Sequence, residues 1–78
     1  MNKEITIDGK KFVVRELLAL EVDSIDWNDK NTAVKKQVIL STGMSESDYT
    51  NLTVKERLHI IKTINEINGL DDFLNPAK

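Results

Sequence analysis

The dipeptide Asp8-Gly9 constrains the fold of this chain more than any other feature. It stands between Ile5-Thr6-Ile7 and Lys10-Lys11-Phe12-Val13-Val14, two runs rich in β-branched and aromatic residues. A type I′ turn needs positive φ at both central residues, which Asp-Gly tolerates, so the pattern predicts a β-hairpin. With a two-residue loop, Ile7 pairs with Lys10, Thr6 with Lys11 and Ile5 with Phe12. One face then carries Ile5, Ile7, Phe12 and Val14; the other carries Glu4, Thr6, Lys11, Val13 and Arg15. A three-residue loop would bring Lys11 onto the apolar face and expel Phe12, because a one-residue slip turns every side chain over. A hairpin alone is marginal in water, so its apolar face requires helices to cover it.

Helical signals follow. Within residues 17–25, Leu18, Val22 and Ile25 recur at i, i+4, i+7, which predicts one short helix. A polar loop around Trp27 separates it from a second helix over residues 32–42, closed by Gly43. At about 100° per residue, Ala33, Leu40 and Met44 fall together on that helix, and Val34 and Val38 extend the arc. Ile39 falls outside it, beside Lys35 and Lys36. Ser45-Glu46-Ser47-Asp48 opens a short turn or a single helical turn. Thr53-Val54-Lys55-Glu56 reads as a capping box and starts the last and longest helix, which stops at Gly69. Val54, Leu58, Ile60, Ile61, Ile64 and Ile67 cover about half of its wheel. Lys55, His59, Lys62, Thr63 and Glu66 form the opposite, solvated face. The expected architecture is α+β in one small domain of residues 1–78: a hairpin over 1–16, a helical part over 17–69 and a C-terminal tail over 70–78.

Composition narrows what such a domain can do. The chain has 78 residues, of which 40% are hydrophobic and 31% charged, a globular balance. No run approaches the roughly 18 apolar residues of a membrane span, and no signal peptide opens the chain, so a cytoplasmic protein is expected. Cysteine is absent, which removes disulfides and thiolate metal sites. The net charge of −2 argues against a protein devoted to neutralising phosphates.

The residues that could carry chemistry have plainer roles. His59 has no serine or cysteine one helical turn away, so no catalytic pair forms around it. Glu21, Asp23, Asp26 and Asp29 cluster, but a calcium loop counted from Asp26 meets Lys30, Asn31 and Gln37 where ligands or glycine are needed. Gly9, Gly43 and Gly69 are isolated, so no phosphate-binding loop exists. No catalytic residue, cofactor or metal is expected, and the protein is expected not to be an enzyme. A nucleic-acid-binding regulator using residues 30–36 and the last helix is the alternative, although Lys55, Arg57 and Lys62 there are offset by Glu56 and Glu66.

Large apolar residues remain outside the expected stripes: Trp27, Ile39, Tyr49, Phe73 and Leu74. As a set they exceed what a thin core needs, and they are the candidate partner-binding residues. The half-wheel arc of the last helix points the same way, since one neighbour seldom covers so much.

The succession of these signals resembles the tail assembly chaperones of long-tailed bacteriophages and prophages. Phe12-Val13-Val14-Arg15-Glu16-Leu17 and then Leu20-Glu21-Val22 look like that family's strand ending in valine-arginine-glutamate-leucine before a short helix. Leu17 or Leu18 stands where the family commonly has a threonine cap. Ser41-Thr42-Gly43-Met44-Ser45-Glu46-Ser47-Asp48 resembles the family's threonine-glycine-leucine-serine segment followed by acids. Asn51-Leu52-Thr53-Val54-Lys55-Glu56 resembles its helix start, and Ile64-Asn65-Glu66-Ile67-Asn68-Gly69-Leu70 is similar to its helix end. The resemblance implies a protein that holds the tape-measure protein soluble and helps tail-tube subunits gather around it, in the host cytoplasm and absent from the mature virion. It implies partners that are proteins, with no nucleic acid and no membrane; self-association is left open.

Overall fold

The computed structural model describes residues 2–69. An antiparallel hairpin of β1 (Asn2–Ile7) and β2 (Lys10–Arg15) is followed by four helices: α1 (Ala19–Asp23), α2 (Lys30–Thr42), α3 (Glu46–Thr50) and α4 (Val54–Asn68). The fold is α+β, with the longest helix last. The strands pair Ile7 with Lys10, Thr6 with Lys11 and Ile5 with Phe12, the register expected for a two-residue loop. Asp8 (φ 50°) and Gly9 (φ 84°) both take the left-handed conformation that this turn demands. Ile5, Ile7 and Val14 are buried on the helix side, Phe12 is half-buried, and Val13 faces out.

Each helix starts where a side chain can take its free amides. Asp29 accepts from the Thr32 amide at 3.2 Å and the Thr32 hydroxyl at 2.8 Å, so α2 begins before residue 32, the expected start. Ser45 Oγ accepts from the Asp48 amide at 3.1 Å and opens α3. The box at α4 closes in both directions: Thr53 Oγ1 accepts from the Glu56 amide at 3.1 Å, and Glu56 Oε1 accepts from the Thr53 amide at 2.8 Å. Leu18 is the N-cap of α1 and has no side-chain acceptor; the Glu21 carboxylate takes the Leu18 amide at 2.9 Å instead.

The core is one cluster of Ile5, Ile7, Val14, Leu17, Val38, Ile60 and Ile64. α4 packs on both strands and on α2, so it is the central strut. A long-range bond fixes its far end: the Leu17 amide donates to Asn68 Oδ1 at 2.8 Å, while Asn68 Nδ2 donates to the Ile64 carbonyl at 2.8 Å.

The orientation of α4 differs from the sequence expectation. Thr63, expected in solvent, is 3% exposed, whereas Val54 and Leu58, expected inside, are 64% and 59% exposed. The inner face is centred on Ile60 and Ile64, which turns Glu56 and Thr63 inward and Val54 and Leu58 out. Those two polar residues tolerate burial because their groups are bonded. Thr63 Oγ1 donates to the His59 carbonyl at 3.0 Å, and Glu56 holds Thr53 and, at 3.4 Å, Lys10. A smaller correction applies to the first helix: α1 spans only Ala19–Asp23, and of the expected stripe Ile25 is buried beyond its end, Val22 is half-buried and Leu18 is exposed at the cap, while Leu17 before it is buried. On α2 the buried residues are Ala33, Gln37, Val38 and Ser41, while Val34, Ile39 and Leu40 are half-buried, as is Met44 just beyond its end. Ile39 is half-buried but is not among the apolar residues packed against the core cluster.

Candidate partner-binding surface

The outward turn of α4 builds a groove. Leu58 and Ile61, one helical turn apart, form one wall with Arg57. Val34 of α2 lines the other side with Lys30, Asn31 and Lys35, and Tyr49 of α3 also lines the groove. The volume is about 590 Å³. A second hollow of about 310 Å³ shares Lys35, Tyr49 and Arg57 and adds Leu52 and Val54, so the exposed Val54 and Leu58 and the half-buried Ile61 line neighbouring hollows at helical spacing along α4. Tyr49 and Ile61 are half-buried and pack against the core, which gives the groove a firm floor.

Cations rim this floor. Lys35 pairs with Glu46 at 3.2 Å, but Glu46 is itself exposed. The side chains of Lys30 and Arg57 have no ion pair or hydrogen-bond partner among the described residues. Arg57 is half-buried and lines the groove beside Leu58.

A separate apolar patch lies at α1, where Leu18, Leu20 and Trp27 are exposed. Trp27 Nε1–H donates to the Val22 carbonyl at 3.2 Å, which holds the ring near the end of that helix. The acids nearby serve the chain itself. Glu21 takes both guanidinium nitrogens of Arg15, at 3.0 and 2.6 Å, and this pair together with the Leu18 amide lowers its pKa from 4.5 to about 2. Bonds from the Thr32 hydroxyl and amide hold Asp29 below the ordinary carboxylate range. The Thr53 amide, the Thr53 hydroxyl and Lys10 do the same for Glu56, against its burial. Among the described residues no group of three or more histidines or acids is arranged to hold a metal ion. A third hollow, about 430 Å³ beside β2, includes Phe12, Val13, Met44 and Leu52, and the paired Lys10 and Glu56 also line it.

The structure distributes the candidate residues unevenly. Tyr49 lines the α2–α4 groove. Trp27 is 44% exposed in the α1 patch, and Ile39 is half-buried and lines none of the three hollows. Phe73 and Leu74 lie outside the described residues. Sequence reasoning missed Val34, Arg57, Leu58 and Ile61 as groove residues, because three of them were assigned to packed faces. The signal was there in the half-wheel arc of α4, which is wider than one neighbour covers. No protein-family model, no curated protein and no solved structure matches the chain.

Among the described residues no helix is long and apolar enough to cross a membrane.

Proposed function

We propose that the chain is a phage or prophage tail assembly chaperone that binds the tape-measure protein, tail-tube subunits or both through exposed apolar surface. On this reading it changes no covalent bond, needs no cofactor, acts in the host cytoplasm and leaves before the virion matures. The observation that carries the proposal is the apolar stripe of Val54 and Leu58, exposed on a helix whose opposite side is fully packed. Isolated exposed leucines are ordinary; exposed apolar residues repeated at helical spacing along a groove mark a partner surface. A chaperone must also release its client. A small apolar floor with a charged rim suits that demand, because few anchors limit affinity while the rim tunes encounter.

The test is co-expression with a tape-measure fragment that aggregates alone. The proposal expects the fragment to become soluble and to co-purify with the chain; a fragment that stays insoluble at matched expression contradicts it. The cations Lys30, Lys35 and Arg57, gathered on one groove, favour a second reading as a nucleic-acid-binding regulator. That reading requires DNA affinity at low salt that falls steeply as salt rises.

A further inference from the structure

We infer that the groove between α2 and α4 takes an amphipathic helix of another polypeptide, apolar on its inward side and acidic along its flanks; this rests on the partner-binding reading above. Three observations converge on that occupant.

The first is the nature of the walls. Both long walls are helices, whose backbone groups bond within their own turns. The groove therefore offers no free row of amides and carbonyls for an added strand. An extended segment laid over Val34, Leu58 and Ile61 would leave its own backbone groups unpaired against an apolar floor, at a cost comparable to lost hydrogen bonds. A helix arrives with those groups already paired and presents only side chains, the arrangement of helix-in-groove recognition.

The second is spacing. Leu58 and Ile61 stand one turn apart on α4 and face Val34 across the groove. Ridges at that spacing receive the i, i+3 and i+4 ridges of another helix.

The third is charge. Among the described residues the lining holds Lys30, Lys35 and Arg57 and no acid. The only acid paired with any of them among the described residues is the exposed Glu46 on Lys35. A partner with glutamates or aspartates beside its apolar stripe would meet Lys30 and Arg57 directly. The same cations disfavour a second copy of this chain. A two-fold contact through the groove would set one basic rim against its twin, and like charges opposed in this way cost affinity.

The experiment uses the full chain and three synthetic peptides of about 20 residues, long enough for helix to form. One carries leucines at i, i+3, i+4 and i+7 flanked by glutamates; the second replaces the glutamates with lysines; the third is the acidic peptide with a central proline. Binding is read by fluorescence anisotropy of labelled peptide. The acidic helix should bind about tenfold or more tightly than either of the others. Leu58→Asp should weaken it about tenfold or more while leaving the circular dichroism of the chain unchanged, and Arg57→Glu should invert the preference between glutamate and lysine flanks.

Equal binding of the lysine peptide, no binding of the acidic one, or indifference to Leu58→Asp would overturn the inference. So would displacement of the acidic peptide by duplex DNA at low salt, or a dimer that Leu58→Asp abolishes. A tenfold gain in peptide affinity on Phe73→Ala would mean that the chain's own residues hold the groove, which also overturns it. The two levels separate cleanly. If the acidic peptide fails while Leu58→Asp still abolishes rescue of a tape-measure fragment, the helix assignment falls and the chaperone reading stands. If the acidic peptide binds as described while the fragment stays insoluble, the helix assignment stands and the chaperone reading falls.

Discussion

The two apolar stripes of α4 have nearly the same chemistry and opposite fates. Ile60 and Ile64 are fully enclosed by the hairpin and α2, while Val54 and Leu58 on the other side meet mainly solvent. Helical periodicity alone makes no distinction between them; it reports a wide apolar arc. The hairpin decides, because its buried row of Ile5, Ile7 and Val14 needs a flat aliphatic surface, and Ile60 with Ile64 supplies it. The comparison teaches that burial on a wide arc is assigned by the neighbouring element. What the neighbour leaves uncovered is the first place to seek function.

Substitutions can break that comparison or sharpen it. Ile60→Ala should remove about 2–5 kcal/mol of stability, the usual cost of an aliphatic cavity in a packed core, seen as a fall in the urea midpoint. A loss under about 0.5 kcal/mol would mean the two stripes are alike after all. Asn68→Ala comes next, at about 1–3 kcal/mol, because it strips the Leu17 amide of its acceptor and unties the entry to α1 from the end of α4. Hydrogen exchange at the Leu17 amide would show the release directly.

Acid should have a smaller and directional effect through Arg15 and Glu21. The folded pKa of Glu21 lies at about 2, below its ordinary 4.5, so the unfolded chain binds the proton more readily. Its contribution is complete above pH 4.5 and is lost as pH falls toward 2; Asp29 and Glu56, also lowered, act with the same sign. Glu21→Gln should flatten that part of the stability profile, and a profile identical to the parent would contradict the pairing. Leu58→Ala should have the least effect, within about 0.5 kcal/mol of the parent by urea unfolding.

Much of the fold was legible because several signals were local. Asp8-Gly9, the Thr53–Glu56 box and Gly43 each act within a few residues, and each stands where expected. The register of the hairpin followed from the same local turn. The facing of α4 was not legible in the same way. Thr63 looks like a surface residue until its hydroxyl is seen bonded to the His59 carbonyl. That contact hides polarity that a wheel counts as solvated. Asn68 gave no sign of its reach to Leu17, across 51 positions. At the candidate surface, Tyr49 was identified as a spare aromatic residue, whereas Leu58 and Ile61 were spent on the core, since the wheel has no means of knowing where the hairpin stops. Gln37 and Ser41 are a different case: both are buried on α2, and Gln37 Oε1 and Ser41 Oγ have no partner among the described residues. Nothing else in the structure explains them.

The central claim is that the outer stripe of α4 is held for another polypeptide and contributes little to the fold. Its most direct test is to measure Leu58→Asp twice, by urea unfolding of the chain and by rescue of a co-expressed tape-measure fragment. The account predicts a midpoint close to that of the parent and a fragment that returns to the insoluble fraction. A collapsed midpoint, or rescue undiminished, would contradict it.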